Sequence, residues 1–200
     1  DAEGVVLGIY VDTVSSFGAY QNQFNAFLPS LYFPLVMTGL YITSAMHVKV
    51  TGVYTNTSPI DAYRGGTQSA TSVRERLIEN GALELGIEPQ ELRQRNYLLE
   101  SDYPHELPSG AVYDSGNPMG QHALLLGISN YAVLREEQQR LKSAGVYMGL
   151  GFSGFAEAGG HGPSRQAADE IASKMGWWEG ARVQVHPDGC ATLSVGTHSH

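Results

Sequence analysis

A chain of 200 residues with 42% apolar side chains can bury a sizeable core, and 16% charged residues is a thin polar cover, so part of the surface is expected to lie against something else. A formal charge of -8 without any Lys/Arg cluster excludes a nucleic-acid backbone as partner. The single cysteine, Cys190, read as a small residue in a strand, excludes an internal disulfide or iron–sulfur cluster and fits a reducing, cytoplasmic compartment.

No signal peptide is recognisable, and no run of about 18 apolar residues suggests a membrane span. The most apolar stretch, residues 24–41, is broken by Pro29, Pro34 and Gly39. The chain opens on Asp1 and closes on Thr197-His198-Ser199-His200, and both ends are expected to continue in a longer protein.

In chain order, Asp1-Ala2-Glu3-Gly4 is a turn signal. Residues 5–20 alternate and predict a strand whose partner lies upstream; residues 47–54 predict another, after an irregular aromatic-rich connection. Residues 55–71 predict a loop holding Pro59, Asp61, Gly65 and Gly66. Ser72-Val73-Arg74-Glu75 has the form of a capping box that opens a helix with Val73, Leu77, Gly81 and Leu85 on its inner face and Gly86 as its stop. A short helix follows, Pro89 in its first turn and Leu92 inward. After a loop over residues 100–116, Asn117-Pro118 opens one long helix to about Ser143, with Leu124, Ile128, Tyr131 and Leu141 inward. Residues 146–156 predict a Gly-dense strand and residues 164–176 a helix. Residues 182–186 and 191–196 predict a hairpin across Pro187-Asp188-Gly189. Strands and helices mix without a βαβ repeat, which predicts an α+β fold.

Three groups of residues could carry chemistry. In Asp61-Ala62-Tyr63-Arg64-Gly65-Gly66, the glycine pair lets backbone approach a ligand, and the helix that follows offers amides to an anion or oxo-metal centre. The same pattern also makes an ordinary turn. His198 and His200 share one face of an expected strand, which is half a zinc site; His161 and His186 are not placed by the sequence, so no metal site is assigned. Glu157 and Asp61 are possible bases, with Glu157 read as structural, and Trp177-Trp178 reads as packing under a helix end.

The blocks TNTSPIDAYRGG (residues 55–66) and ERLIENGALELGIEPQELRQRN (residues 75–96) resemble the loop and helix pair of the molybdopterin-binding large subunit of the xanthine dehydrogenase, aldehyde oxidase and aerobic carbon-monoxide dehydrogenase family. The resemblance continues in order through Gly18-Ala19-Tyr20, Tyr113-Asp114-Ser115-Gly116, Gly151-Phe152-Ser153, Glu157-Ala158 and Gly196 to His200. It implies part of a molybdopterin-binding domain, a first segment over residues 1–145 and the start of a second over residues 146–200. It implies that Ala62, Tyr63, Arg64, Gly65 and Gly66 hold the cofactor, with the Arg64 amide near the metal's ligands, and that Phe152 and Ser153 line the substrate pocket. Residues 196–200 would lead into a Gly-Gln-Gly pterin-binding loop. No catalytic residue is expected within the chain, because the family's Glu base lies in a distal Gly-Glu motif.

The function implied is a molybdenum-dependent oxidoreductase that hydroxylates an aldehyde or an aromatic N-heterocycle with water as oxygen source. The cofactor would be molybdopterin in its cytosine dinucleotide form, with 2Fe–2S and FAD centres on an iron–sulfur and an FAD subunit in a dimer of heterotrimers. Three departures stand out. The loop is one residue shorter than the family's and lacks its second Arg. Gly65 stands where carbon-monoxide dehydrogenases carry a copper-bridging Cys, which argues against carbon monoxide as substrate. Asn80-Gly81 replaces a helix-friendlier pair at a cost of about 1 kcal/mol. The alternative is a non-catalytic relative that keeps the fold as a structural or binding module.

Overall fold

The computed structural model describes residues 1–22, 25–59, 67–156 and 180–196. The chain divides into two units, Asp1–Ala156 and Glu157–His200. Strands and helices are mixed in an α+β arrangement with small two-stranded sheets.

Alternation sets the first strand: in β1 (Ile9–Ser16) Val11 is buried while Tyr10, Asp12 and Val14 face outward. Its described partner lies downstream. β1 pairs in parallel with β2 (Met46–Val53), Ile9 opposite Met46 and Ser16 opposite Val53. Parallel pairing requires a crossover. Residues 17–45 supply it through a π-helical turn at Leu28–Tyr32 and the short α1 (Phe33–Leu35). The inner sheet face packs on this crossover, with Val11, Phe33, Val36, Met37 and Ala70 forming one core cluster.

β1 is shorter than the alternation over residues 5–20 suggests. At its entry Asn96 takes the backbone: its Oδ1 accepts from the Val6 amide at 2.8 Å and its Nδ2 donates to the Gly4 carbonyl at 2.7 Å. At its exit Gly18 turns the chain at φ +75°.

Helix α2 (Gln68–Leu85) begins at Thr67, not at Ser72, so the expected capping box does not form. Glu75 is engaged elsewhere, as shown below. The buried face is also one residue out of phase with the expected stripe. Ala70, Arg74, Ile78 and Ala82 are inward, whereas Val73, Leu77 and Leu85 are exposed. Both sets have helical spacing, and the choice falls to the set containing Arg74 because its charge is compensated inside. Gly86 ends the helix in the left-handed region at φ +66°, as expected. α3 (Pro89–Asn96) follows, with Leu92 in a second core cluster beside Tyr41, Ile78, Ala82 and Tyr97.

The loop before the next helix carries a 3-10 turn at Glu100–Asp102 and a small antiparallel pair, β3 (His105–Glu106) with β4 (Val112–Tyr113). The expected long helix is two: α4 (Pro118–Ile128) and α5 (Tyr131–Ser143). The break is local. Ser129 Oγ bonds back to the Leu125 carbonyl at 2.7 Å, and Asn130 adopts φ +51°, which Asn tolerates better than most residues. The inner face of α4 is Pro118 and His122; Leu124 and Ile128, expected inward, are exposed. Residues 146–156 form no ladder and run as irregular chain.

In the second unit β5 (Ala181–Val185) and β6 (Ala191–Val195) form the expected antiparallel hairpin, turned at Gly189 with φ +85°. Cys190 is an exposed free thiol at the end of that turn, just outside the strand. The helix expected over residues 164–176 lies outside the described residues. No described helix is long and apolar enough to cross a membrane.

Candidate cofactor and substrate site

The centre of the first unit is polar. Arg74 and Arg93 are 2% and 0% exposed, and both ion-pair with the buried Glu75. Such charges are tolerated in a core only when their hydrogen-bonding capacity is filled. Glu75 accepts the Tyr41 hydroxyl at 3.0 and 3.1 Å, Arg74 Nε at 3.4 Å and Arg93 Nε at 3.1 Å. Glu79, partly exposed, adds the second negative charge, 2.7 Å from Arg93 Nη2.

Two aromatic rings stack over this network, Tyr41 and Tyr97, with centroids 5.2 Å apart and planes 4° from parallel. Burial, then the nearby Glu75 charge, pushes the Tyr97 phenol up to about 12 and raises Tyr41 further. Both therefore remain hydroxyl donors at neutral pH. Tyr97 contacts His122 Nδ1 at 3.0 Å. The His122 imidazole is 3% exposed and its Nε2 has no partner among the described residues. Burial, followed by the Arg93 charge, lowers its pKa below 6.5, which favours the neutral ring.

Phe152 closes the cluster. Its ring is half-buried, 4.8 Å from the His122 ring and 5.2 Å from Arg93 Cζ, while Ser153 is exposed. Ala62, Tyr63, Arg64, Gly65 and Gly66, the loop expected to hold the cofactor, lie outside the described residues, as do Asp61, Glu157, His161, Trp177, Trp178, His198 and His200. Immediately after that loop, α2 starts without a side-chain cap and without an acidic residue in its first turn. A helix end of that kind carries partial positive charge and is compatible with an anionic group. The His186 ring Nε2 lies 2.9 Å from Thr192 Oγ1, and no cluster of metal-ligating side chains occurs among the described residues.

Arg74, Glu75, Arg93, Tyr41, Tyr97 and His122 escaped the sequence reading as a group. His122 alone carried a local signal, as the one imidazole in the otherwise apolar PMGQHALLLGI. The adjacent Arg74 and Glu75 read as part of a capping box at the helix start, not as buried charges.

These features define an α+β segment with an anion-compatible helix start and a buried, charge-compensated cluster. Residues 1–97 match the molybdopterin cofactor-binding domain family. The chain is 29% identical over 98% of its length to the carbon monoxide dehydrogenase large chain of Hydrogenophaga pseudoflava, covering 25% of that protein. It is 28% identical over its full length to the nicotine 6-hydroxylase large subunit of Paenarthrobacter nicotinovorans, covering 24% of it. The crystal structure of quinoline 2-oxidoreductase from Pseudomonas putida 86 superposes on 96% of the chain, with a TM-score of 0.79 and 30% identity, covering 25% of that chain. Residues 1–97 thus carry the molybdopterin cofactor-binding domain, and the chain as a whole is similar to a segment of the large subunits of molybdenum-dependent oxidoreductases, spanning about a quarter of the length of the relatives it matches.

Proposed function

We propose that the complete protein is the molybdenum-binding large subunit of a hydroxylase that oxidises an aldehyde or an aromatic N-heterocycle, taking its oxygen from water. The observation that carries this reading is the likeness, across 96% of the chain, to a quinoline oxidoreductase. The cofactor is proposed to be molybdopterin in its cytosine dinucleotide form. Electrons would pass to 2Fe–2S and FAD centres on partner subunits, in a cytoplasmic dimer of heterotrimers.

When bound, the molybdenum centre supplies a strong oxygen nucleophile and a two-electron sink. This chain's residues do the positioning. Ala62, Tyr63, Arg64, Gly65 and Gly66 approach the cofactor through backbone, which is why glycines stand there. The start of α2 faces the cofactor's negative charge. Phe152 and Ser153 are read as a wall of the substrate pocket, a reading supported by the exposure of Ser153 and by the packing of Phe152 against Arg93 and His122. The domain reading is that residues 1–145 are the first molybdopterin-binding segment and residues 146–200 the start of the second.

The test is an assay of the full-length complex with a dye acceptor against aromatic aldehydes, N-heterocycles and carbon monoxide. Turnover of an aldehyde or heterocycle, and none of carbon monoxide, is expected because Gly65 offers no thiolate for copper. Copper-dependent carbon-monoxide oxidation alone would overturn the assignment.

A further inference from the structure

The two buried arginines do more than compensate Glu75. All five N–H donors of the Arg74 guanidinium have acceptors: Glu75 Oε1 at 3.4 Å, the Val36 and Met37 carbonyls at 3.2 Å each, Thr71 Oγ1 at 3.3 Å and the Gly154 carbonyl at 2.9 Å. Arg93 donates to Glu75, Glu79, the Pro89 carbonyl at 3.3 Å and the Phe152 carbonyl at 3.2 Å. Residues 152 and 154 are two apart, so one side of an extended chain presents both carbonyls to the two guanidiniums. The irregular segment 146–156 has no ladder of its own. Its backbone at Phe152 and Gly154 is instead held by these two side chains, and both are fixed by the single carboxylate of Glu75.

Arg74 also sits two turns into the helix that begins where residues 60–66 end, and it bonds Thr71 on the way. One guanidinium therefore touches both the helix that continues the cofactor loop and the strand-like segment carrying the pocket wall.

We propose that Arg74 and Arg93, bridged by Glu75, are positioning residues that lock the substrate wall at residues 152–154 to the helix issuing from the cofactor loop. The proposal rests on the reading of Phe152 and Ser153 as pocket residues. Lysine cannot replace Arg74, because three donors on a point charge cannot fill five separated acceptors. A shift of about 1 Å in a wall that orients substrate is enough to cost up to about 100-fold in rate.

The experiment uses the full-length complex with Arg74→Lys and Arg74→Met, and with Arg95→Met as a control on the exposed Arg95–Glu91 pair of α3. Hydrogen exchange is followed in peptides covering residues 67–80 and 146–156, and kcat and KM are measured per bound molybdenum. The expected result is faster exchange in residues 150–155 for both Arg74 variants, and kcat/KM lower by about 10- to 100-fold at unchanged molybdenum content. Arg95→Met should change neither. If Arg74→Met fails to fold, Arg74→Lys, which retains the charge, decides the matter. Unchanged exchange at residues 150–155 overturns the clamp. Faster exchange there with unchanged kcat/KM and KM overturns its link to the pocket. A wild-type complex that holds no molybdenum overturns the functional reading instead, while the exchange data still judge the clamp.

Discussion

Gly39 and Arg74 occupy one space: a Cβ built on Gly39 would stand 2.2 Å from the Arg74 guanidinium carbon. Gly39 is also at φ +58°, where an L side chain is strained. The guanidinium is the far end of a flexible chain, but moving it would strand buried donors. Gly39→Ala should therefore destabilise the large subunit by about 3 kcal/mol. In an Arg74→Ala background the clash disappears, and the same change should cost only the backbone strain, about 1 kcal/mol. Denaturant midpoints of the four proteins measure the coupling; additive costs would mean that the two residues do not share that space.

His122 gives the protein an acid sensitivity. Its folded pKa lies below the unfolded 6.5, chiefly through burial and next through Arg93. The unfolded chain therefore binds more protons, and stability rises with pH. This contribution is fully present above about pH 6.5 and is lost as pH falls through the lower folded value. His122→Gln should flatten the slope of stability against pH in that window, measured as unfolding midpoints between pH 5 and pH 7.5. An unchanged slope would show that His122 is not the group responsible.

Gly81 lies within α2, where among the described residues a Cβ would meet only Leu92 Cδ2, at an ordinary 3.7 Å. Gly81→Ala should stabilise the subunit by about 1 kcal/mol through helix propensity, without repacking. A lower thermal midpoint would mean that the position is tighter than its contacts indicate.

Strong local chemistry made several elements legible in the sequence. Pro89 and Gly86 bounded their helices, and Asp188-Gly189 turned its hairpin. The inner face of α2 was not legible, because two stripes of equal spacing compete and the winner contains an arginine. What decides between them is Glu75, Arg93 and two carbonyls about 60 to 80 residues further along the chain, which helix periodicity does not register. The break at Asn130 needed one left-handed residue, and helical spacing continues across it. The loop at residues 62–66, proposed to meet the cofactor, rests on a motif resemblance and lies outside the described residues, whereas the packing around Phe152 arises from tertiary contacts.

The proposed backbone role of the cofactor loop separates two substitutions. In the full-length enzyme Gly65→Val should reduce kcat by about 100-fold or more, because a β-branched side chain blocks close approach. Arg64→Lys should cost less than about 5-fold, since its amide is retained. Equal losses in steady-state kinetics would assign the role to the Arg64 side chain.

The most direct measurement is the molybdenum and pterin content of the full-length protein purified with its neighbouring subunits. Stoichiometric molybdenum, together with a pterin released as the cytosine dinucleotide, is the predicted result. Correctly folded full-length protein, purified from molybdenum-replete cells and containing neither molybdenum nor pterin, would contradict the account.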